Sequence, residues 1–348
     1  MLLNKPKIAV LGSGSFGTAI ANLIAVNQPV YLYTRSVKKA AEMATKRING
    51  DRKILENVIP TADIATSLKE AHLLFPVVPS ANFRAFIKTI APHLVPQHIL
   101  IHGTKGFDVS KAPVDENNEH LLLNRKQVCT MSEVILEETI ILKVGAISGP
   151  NLAAEIADGQ PAAAAIASQF DSVFKAGSNA LKSRQFQVVK SNDIVGAEIA
   201  GTLKNIMAIG AGILNAMGYG NNALAMLISR GLNEIIRIGT ALGGNTNSFL
   251  GLAGLGDLIA TCSSPLSRNF NLGYRLAKGE TLADIMATSS EVIEGIKTVM
   301  ITRALANHHK IRIPITNKIF EVLFKQLPAQ QAIEQLMLYR NLPDVDFV

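Results

Sequence analysis

The segment IAVLGSGSFGTAI, residues 8–20, constrains the fold of this chain more than any other stretch. Gly12, Gly14 and Gly17 stand in the spacing G-x-G-x-x-G between an apolar run of strand character and a run of helical character. In that setting the first glycine permits a tight turn, the second lets the backbone approach a pyrophosphate, and the third lets helix and strand pack closely. The N–H groups that begin the helix then face the phosphates. We therefore predict a strand, turn and helix that bind a dinucleotide.

The first part of the chain alternates short β-type runs with helical stretches. Strands are predicted at residues 7–11, 30–33, 73–78, 99–102 and 144–148, with helices at 18–27 and around 37–47. Strands that are separated by helices form βαβ units and a parallel sheet. We predict an α/β fold in which residues 1–190 form an N-terminal Rossmann-type doubly wound sheet.

The β signal fades after about residue 190, and long helical patterns follow. One predicted helix starts near Asn221 and ends at Ala241, before a Gly-Gly stop signal. Others cover residues 291–309 and 315–327, with Pro314 at the entry of the second. Residues 191–348 are therefore predicted to form an all-α C-terminal domain. Residues 110–140 are polar and include Pro113, which predicts a long surface insertion.

Composition narrows the class of protein. The chain has 348 residues, 48% of them hydrophobic and 18% charged, which is typical of a globular protein. Cys129 and Cys262 are its two cysteines, without CxxC or Cys/His spacing, so we expect neither a disulfide framework nor a metal site. A reducing cytoplasm and the lack of an export signal fit this pattern.

The net charge of +7 raises the question of an anionic partner. The basic residues form scattered pairs without interleaved aromatic residues, so we expect a small anionic molecule and no nucleic acid. Residues 199–217 approach the length of a membrane span, but Lys204 and Asn205 lie inside them. We therefore predict no transmembrane segment.

The residue at the end of the second predicted strand bears on the choice of cofactor. Many dinucleotide sites carry an acidic residue there, which binds the ribose of NAD, but this strand reads VYLYTRS and ends at Arg35. A guanidinium suits a 2′-phosphate, and Lys38 and Lys39 add positive charge, so NADP is favoured over NAD. Arg35 stacked on the adenine of either cofactor is the alternative, and the choice stays open.

A lysine interrupts an apolar helical pattern in AGTLKNIMAIGAG, residues 200–212. On a helix, Lys204 lies in line with a stripe of small residues that includes Gly201, Ala208 and Gly212. Such a stripe lets another backbone or a ligand come close, which directs the ammonium into a cleft beside Asn205. A lysine that extends to solvent at a domain edge is the alternative.

Other polar residues follow predicted strands or glycine turns. Lys105 comes after a strand in IHGTKGF, and Gly149 and Asn151 follow another in ISGPN. Ligands of open α/β sheets bind at such carboxyl ends of strands. In the helical part, the glycines of GLAGLGDLIATC predict a backbone folded tightly around Asp257. SSPLSRN places a hydroxyl, a guanidinium and an amide ahead of a helix, where they can bind a phosphate: Ser267, Arg268 and Asn269. A plain helix cap with a surface arginine is the alternative for this segment.

These segments together resemble one enzyme family. GSGSFGTA, VVPS, TKG, ISGPN, GTLKNIMAIGAG, LISRGLNE, AGLGDLIATC, SRN and VIEGIKT occur in this order at compatible spacing. The set resembles the bacterial-type NAD(P)-dependent glycerol-3-phosphate dehydrogenases over nearly the whole chain. The resemblance implies a cytoplasmic, usually dimeric enzyme that reversibly reduces dihydroxyacetone phosphate to sn-glycerol 3-phosphate for phospholipid synthesis.

The resemblance also implies roles for particular residues. Lys204 corresponds to the proton donor and acceptor, with Lys105, Asn205, Asp257 and Thr261 around it. The substrate contacts are Lys105, Gly149, Asn151, Lys204, Asp257, Ser267, Arg268 and Asn269. The cofactor contacts are Gly12, Gly14, Ser15, Phe16, Gly17, Arg35, Lys105, Ala153, Arg268, Val292 and Glu294.

Two features depart from the family pattern: Asn151 stands where many members carry Ser or Thr, and the segment between Lys105 and Gly149 looks longer than in the commonest members. From the chemistry, we expect the Asp257 carboxylate and a bound anionic substrate to stabilise the Lys204 ammonium.

Two other functions stay open. One is a related two-domain dehydrogenase that acts on β-hydroxyacids or ketopantoate, which shares the glycine turn but does not require the SRN segment. The other is a non-catalytic dinucleotide sensor, which binds the cofactor without turnover. Activity on phosphorylated against unphosphorylated ketones separates these functions.

Overall fold

An eight-stranded sheet forms the centre of the N-terminal part of the chain. A computed structural model describes residues 7–112, 121–289 and 292–338. The strands are β1 (Ile8–Leu11), β2 (Val30–Tyr33), β3 (Ile48–Asn49), β4 (Arg52–Lys53), β5 (Val58–Thr61), β6 (Leu73–Pro76), β7 (Ile99–His102), β8 (Val144–Ser148), β9 (Ala162–Ala167) and β10 (Phe186–Ser191). The order of the main sheet is β10-β9-β8-β7-β6-β1-β2-β5, and β3 and β4 form a separate antiparallel pair.

The topology of the main sheet is that of a dinucleotide-binding fold. Its neighbouring strands are parallel except for β8 and β9, which are antiparallel. Six strands, from β5 to β8, follow the doubly wound order 3-2-1-4-5-6. The winding reverses between β1 and β6, and ligands of such sheets bind outside the carboxyl ends of the strands at that point. The predicted Rossmann-type sheet is confirmed.

Helices connect these strands and make up most of the rest of the chain. They are α1 (Ser15–Ala25), α2 (Val37–Lys46), α3 (Ile64–Glu70), α4 (Ser80–Ile90), α5 (Met131–Glu138), α6 (Ala153–Ala157), α7 (Asp171–Leu181), α8 (Ile194–Ala216), α9 (Asn221–Ala241), α10 (Thr246–Leu250), α11 (Asp257–Cys262), α12 (Arg268–Ala277), α13 (Leu282–Thr288), α14 (Glu294–His309), α15 (Pro314–Phe324) and α16 (Ala329–Met337). Short 3₁₀ turns cover Ala91–His93 and Arg125–Gln127, and a π-helical turn covers Leu252–Gly256.

The chain divides into two compact units. The first contains the described residues up to Lys105 together with Thr130–Ala197, and the second contains those of Gly106–Cys129 and those from Glu198 onward. The division after Ala197 falls inside α8. This division differs from the predicted one in two ways: the break lies seven residues later than 190/191, and residues 106–129 group with the helical unit. The domain boundary at residue 190 therefore stays a prediction.

One face of the sheet packs against α1 and forms a hydrophobic core of the first unit. Val10, Leu32 and Phe75 are fully buried on neighbouring strands, and Ile20 and Ile24 of α1 belong to the same hydrophobic cluster. The short strands are apolar because both faces of a parallel sheet are covered. The loops that follow the carboxyl ends of these strands are therefore attached to a well-packed sheet.

The second unit is helical, as predicted. Its helix α9 has the predicted bounds, and α15 begins at Pro314, whose fixed φ angle suits the first helical turn. The helix α8 is long and apolar enough, by length and composition, to cross a membrane, but 83% of its most apolar 18-residue window is buried within the protein. Its apolar character is thus accounted for by packing within the protein.

The predicted surface insertion over residues 110–140 is wrong for the part that the structure describes. Leu123 and Val128 are buried, and α5 buries Val134 and Ile135. Leu123 and Val128 are separated by four polar residues, 124–127, and show neither helical nor strand periodicity. The sequence pattern therefore gave no sign that they are buried. Pro113, on which the prediction rested, lies outside the described residues.

Candidate functional site

The glycine turn after β1 has the conformation that the sequence predicts. Gly12 has a φ angle of +136°, and a Cβ atom there would lie 2.5 Å from the Val77 carbonyl oxygen. A Cβ atom on Gly17 would lie 1.9 Å from the Gly12 carbonyl oxygen. At Gly14, by contrast, nothing lies within 4 Å of an added Cβ atom. Two glycines are thus required by the turn itself, and the third leaves its backbone open to a ligand.

The start of α1 fits the pyrophosphate of a dinucleotide. Gly14 caps the helix without a side-chain hydrogen bond, and the first turn has no acidic residue. The N–H groups of that turn carry the positive end of the helix dipole, which attracts phosphate. The Ser13 carbonyl oxygen, inside the turn, accepts hydrogen bonds from Lys39 Nζ (3.2 Å) and Asn49 Nδ2 (2.9 Å). These two bonds hold the loop in place before any ligand arrives.

The residues predicted to choose between NAD and NADP lie after β2. Arg35 is exposed and forms no hydrogen bond or ion pair with the residues that the structure describes. Lys38 is also exposed, whereas Lys39 is partly buried and bonded to the Ser13 carbonyl. The exposed charges at the end of this strand are therefore those of Arg35 and Lys38. Lys39 mainly supports the glycine turn.

The loops after β7 and β8 contain further predicted site residues in the first unit. Thr104, which precedes Lys105, donates from Oγ1 to the Val78 carbonyl oxygen at 2.7 Å. Gly149 has a φ angle of +151°, and a Cβ atom there would lie 2.9 Å from the Ala163 carbonyl oxygen. Asn151 follows, and its amide Nδ2 is buried with no hydrogen-bond partner among the described residues. A buried amide of this kind needs a partner, which a ligand can supply.

Two more predicted cofactor contacts, Phe16 and Ala153, belong to the first unit. Phe16, in the first turn of α1, packs so closely on Gly103 that a Cβ atom at Gly103 would lie 2.6 Å from the ring. Ala153 is the first residue of α6, and its carbonyl oxygen accepts a hydrogen bond from Arg52 Nη1 at 2.6 Å.

The second unit contains a buried network around Lys204. The ammonium of Lys204 forms an ion pair with the Asp257 carboxylate and donates to Thr261 Oγ1 at 2.6 Å. Thr261 Oγ1 in turn donates to the Asp257 backbone oxygen at 2.6 Å, so it offers a lone pair to the ammonium. Lys204 is 5% exposed and Asp257 is 2% exposed. The predicted pairing of this lysine with Asp257 is present.

Local backbone geometry brings Asp257 to that position. The π-helical turn Leu252–Gly256 runs directly into α11, and such turns are frequent at functional sites. A Cβ atom on Gly254 would lie 2.1 Å from the Phe249 carbonyl oxygen, so only glycine allows this close return of the chain. Asn205 is buried next to Lys204 on α8.

The electrostatics of this network extend to Cys262. Burial raises the pKa of the Cys262 thiol to about 12; the nearby Lys204 opposes the rise and the Asp257 charge adds to it. The thiol therefore stays protonated and packs as a small apolar group. Among the described residues, no cluster of His, Cys, Asp or Glu is suited to hold a metal ion.

The SRN segment forms the start of α12. Ser267 is the N-cap, and its Oγ accepts from the Phe270 backbone N–H at 3.3 Å. Arg268 donates from Nη1 to the Val292 carbonyl oxygen at 2.6 Å, and Asn269 Oδ1 accepts from the Gly295 N–H at 2.9 Å. The Asn269 oxygen is thus engaged, which leaves its NH₂ end to donate to an anion. Val292 and the adjoining Glu294 at the start of α14 were predicted cofactor contacts.

The sequence missed several residues that support these groups. Lys39 and Asn49 hold the glycine turn, Gly295 holds Asn269, and Gly212 lies against the backbone of α12. The glycine stripe on α8 was the one available signal, because it predicts that another backbone approaches. The bonds to carbonyl oxygens have no sequence signature.

Fold and site together define a class of protein. A parallel sheet with a G-x-G-x-x-G turn at its switch point, followed by a helical unit with a buried lysine, is the architecture of a nicotinamide-dependent dehydrogenase of the two-domain type. The comparisons with known proteins identify the family within that class. Residues 7–173 match the family model for the N-terminus of NAD-dependent glycerol-3-phosphate dehydrogenase, and residues 193–334 match the model for its C-terminus. The chain belongs to this family of oxidoreductases.

Individual relatives support the assignment. The chain is 38% identical to the glycerol-3-phosphate dehydrogenase [NAD(P)+] of Teredinibacter turnerae, over 99% of this chain and 98% of the relative. It is 37% identical to that of Azotobacter vinelandii, over 100% and 98%. The crystal structure of glycerol-3-phosphate dehydrogenase from Coxiella burnetii matches with a TM-score of 0.84 at 32% identity, over 95% of this chain and 98% of that one.

A more distant likeness bears on the alternative functions. A ketopantoate reductase from Ralstonia eutropha matches with a TM-score of 0.55 at 13% identity, which shows a shared fold alone. The family models and the relatives therefore favour glycerol-3-phosphate dehydrogenase over the alternative of a ketopantoate-type dehydrogenase.

Proposed function

We propose that this chain catalyses the reversible reduction of dihydroxyacetone phosphate to sn-glycerol 3-phosphate with NADH or NADPH. The observation that carries the proposal is the buried Lys204 ammonium, bonded to Asp257 and Thr261 in the same unit as the donors at the start of α12. Reduction of a ketone needs a proton donor, and a phosphorylated substrate needs fixed cationic and amide donors.

Lys204 delivers the proton. The nicotinamide cofactor, when bound at the glycine turn and the start of α1, supplies a hydride to the ketone carbon. As the ketone oxygen gains negative charge, the Lys204 ammonium stabilises it and transfers a proton to it. Asp257 and Thr261 hold Nζ in one position, so little reorganisation is needed during the reaction. In the reverse direction, Lys204 accepts the proton.

The start of α12 binds the substrate phosphate. Arg268 supplies charge, the Asn269 amide and the Ser267 hydroxyl supply hydrogen bonds, and the N-terminus of the helix adds its dipole. Because these groups bind a part of the substrate that does not react, their binding energy orients the ketone. Asn151 is a second substrate contact, supported by its buried and unpartnered Nδ2.

Lys105 assists by polarising the carbonyl of the substrate. Support comes from the next residue: the Gly106 N–H donates to Thr202 Oγ1 at 3.0 Å, and Thr202 precedes Lys204 by two residues on α8. A second ammonium near the ketone oxygen lowers the cost of the developing charge. Lys105→Ala is expected to lower turnover less than Lys204→Ala does.

The test of the function is a comparison of two ketones. The purified chain is mixed with each reduced nicotinamide and either dihydroxyacetone phosphate or dihydroxyacetone, and loss of nicotinamide absorbance is followed. We expect oxidation with the phosphorylated ketone and almost none with the other. Equal rates with both ketones would falsify the phosphate role, and no turnover with either would favour a dinucleotide sensor.

A variant pair tests the mechanism. Lys204→Ala should lower turnover by roughly a thousandfold or more, since general acid catalysis and charge stabilisation are lost together. Lys190→Ala, at an exposed ion pair with Asp171, is the matched control and should leave turnover unchanged. Undiminished turnover in a folded Lys204→Ala variant would remove the mechanism.

The preferred cofactor is NADP in this proposal. The exposed Arg35 at the end of β2 and the neighbouring Lys38 offer positive charge to a 2′-phosphate. Arg35→Ala should therefore lower kcat/KM for NADPH more than for NADH. An equal decrease for both cofactors would support stacking on the adenine instead.

We place the enzyme in the cytoplasm as a homodimer that supplies glycerol 3-phosphate for phospholipid synthesis. The two cysteines are free thiols and both are buried, which suits a reducing compartment. Light scattering in solution measures the oligomeric state, and a monomer at working concentration would contradict the dimer.

A further inference from the structure

The helix that contains Lys204 crosses the helix that contains the phosphate donors at a contact between two glycines. Gly212 of α8 lies against the backbone of α12, where an added Cβ atom would be 1.9 Å from the Phe270 carbonyl oxygen. Gly273 of α12 lies against α8 in the same way, with its Cβ position 1.9 Å from the Ile209 carbonyl oxygen. Each helix thus presses its backbone into the glycine of the other.

This contact leaves no room for a methyl group on either side. Real Cβ atoms essentially never approach another heavy atom within 3.0 Å, so alanine at either glycine requires the two backbones to separate by about 1 Å. The obstructing atoms are backbone carbonyls at helical positions, which cannot rotate away as a side chain can. Relief must come from a shift of one helix against the other.

The crossing lies close to both functional groups along the chain. Lys204 precedes Gly212 by eight residues on α8, which is about 12 Å along a helix, and Asn269 precedes Gly273 by one turn on α12. A further contact holds the donor itself: the Gly295 N–H bonds Asn269 Oδ1, and a Cβ atom on Gly295 would lie 2.4 Å from that oxygen. The distance from the ammonium to the phosphate donors therefore depends on the glycine contact.

We propose that Gly212 and Gly273 are positioning residues that set the spacing between Lys204 and the phosphate donors, and so select substrates by length. The proposal rests on the function proposed above, in which Lys204 acts on the ketone oxygen and α12 binds the phosphate. Dihydroxyacetone phosphate has one methylene between its carbonyl carbon and its phosphate ester oxygen. A fixed spacing admits this ketone in reactive alignment and misaligns one with a second methylene.

The experiment compares two substrates of different length. One is dihydroxyacetone phosphate, and the other is its homologue 4-hydroxy-3-oxobutyl phosphate, which has one more methylene. The unaltered chain should prefer the shorter substrate by roughly a hundredfold in kcat/KM, the size of effect that a 1 Å misplacement produces. Gly212→Ala and Gly273→Ala should each reduce this preference by tenfold or more, mainly because kcat for the shorter substrate falls.

Gly210→Ala is the matched control on the same helix. The three atoms nearest its added Cβ atom all belong to side chains, at 3.3 Å in Leu227 and at 3.4 Å in Ile319, and these can shift without moving α12. The substrate preference should therefore stay at the unaltered value even if this variant loses some stability. A merely structural role for the crossing glycines predicts that activity on both substrates falls together.

Several results overturn the inference. Equal use of both substrates by the unaltered chain does so before any variant is made, and so does an unchanged preference in a folded Gly212→Ala or Gly273→Ala variant. If neither variant folds, Gly295→Ala decides, since its added Cβ atom would lie 2.4 Å from Asn269 Oδ1 of α12 and 3.0 Å from Ile209 Cδ1 of α8 and so alters the spacing between these helices at the donor. A reduced preference supports the inference and an unchanged one refutes it. Failure of the proposed function shows differently, as no reduction of dihydroxyacetone phosphate by the unaltered chain.

Discussion

A buried carboxylate in the second unit makes the stability of the protein dependent on pH. Glu234 of α9 is 1% exposed and accepts hydrogen bonds from the first turn of α15: the Ile315 N–H at 2.5 Å, the Thr316 N–H at 3.1 Å and Thr316 Oγ1 at 2.8 Å. It thus satisfies helix donors that would otherwise be buried without partners. Burial raises the pKa of Glu234 to about 7, although these bonds and the charge of Arg237 oppose the rise.

The size and sign of the effect follow from this shift. The folded-state pKa of about 7 lies above the ordinary value of 4.5, so folding favours the protonated carboxyl. The contribution of Glu234 to stability is therefore fully present below about pH 4.5 and is lost as the pH rises through 7. Between pH 5.5 and pH 8.5 the loss amounts to about 2 kcal/mol, from the proton-binding difference between the two states.

Glu234→Gln removes this titration. The free energy of unfolding is measured by urea denaturation at pH 5.5 and pH 8.5 for the variant and the unaltered chain. Other titrating groups contribute equally to both proteins, so the difference between them isolates Glu234. Relative to the unaltered chain, the variant should gain about 2 kcal/mol from the lower to the higher pH.

The control is Glu334→Gln, at an exposed glutamate of α16 whose side chain accepts a hydrogen bond from Gln330. Its difference from the unaltered chain should change little across the same range. If the Glu234→Gln difference is also constant with pH, Glu234 has an ordinary pKa in the folded state and the reasoning from burial is wrong.

Three further outcomes are expected. Lys204→Met should lower the free energy of unfolding by about 3–5 kcal/mol, because it leaves the Asp257 charge buried and unpaired. The double variant Lys204→Met/Asp257→Leu should recover part of that loss in urea denaturation. If it recovers none, the uncompensated charge of Asp257 is not the cause of the loss. Gly14→Ala should keep the melting temperature but weaken nucleotide binding in calorimetry, whereas Gly17→Ala, with its Cβ atom 1.9 Å from a carbonyl oxygen, should lower the melting temperature as well. Cys262, whose pKa is about 12, should resist iodoacetamide at pH 8 until the chain unfolds, and fast labelling of the native protein seen by mass spectrometry would argue against its burial.

The elements that the sequence predicted best are those with a clear local boundary. The strands β2, β7 and β8 and the helix α9 have the predicted bounds. Each strand is a short run rich in β-branched or aromatic residues that ends at a polar or glycine-containing loop, and α9 stops before Gly243-Gly244. In these segments the local preference and the tertiary environment agree, so a single sequence is sufficient.

The strands that the sequence did not predict depend on their neighbours. The β9 segment, AAAAIA, consists mainly of a residue that favours helices, yet it pairs with β8 on one side and β10 on the other. Small side chains suit this position because the Cβ position of Gly149, after β8, lies only 2.9 Å from the backbone of β9. The edge strand β5 contains Pro60, which weakens its strand signal. Pairing between distant segments decided these cases.

In the candidate site, too, the sequence predicted some residues and missed others. The residues that bear charge were predicted, because a lysine or an arginine at an unusual position in an apolar or glycine-rich segment stands out in the sequence. Their supports were not: the bonds to Ser13 and Asn269 use backbone groups or polar side chains whose partners are far apart in sequence. Backbone donors and acceptors are present at almost every residue, so the sequence does not reveal which of them meet.

Burial of Lys204 has a consequence that a surface lysine would not have. A hydrated ammonium acts on a ketone oxygen through water, where its field is weak, whereas one held away from water acts at a much lower effective dielectric. Removing that charge from water costs several kcal/mol, and Asp257 and Thr261 offset the cost by bonding to it. Gly254 lets the chain return closely to the Phe249 backbone just before Asp257, which helps to fix the position of that carboxylate. Gly254→Ala is therefore expected to reduce turnover in a steady-state assay without touching any group that takes part in the reaction.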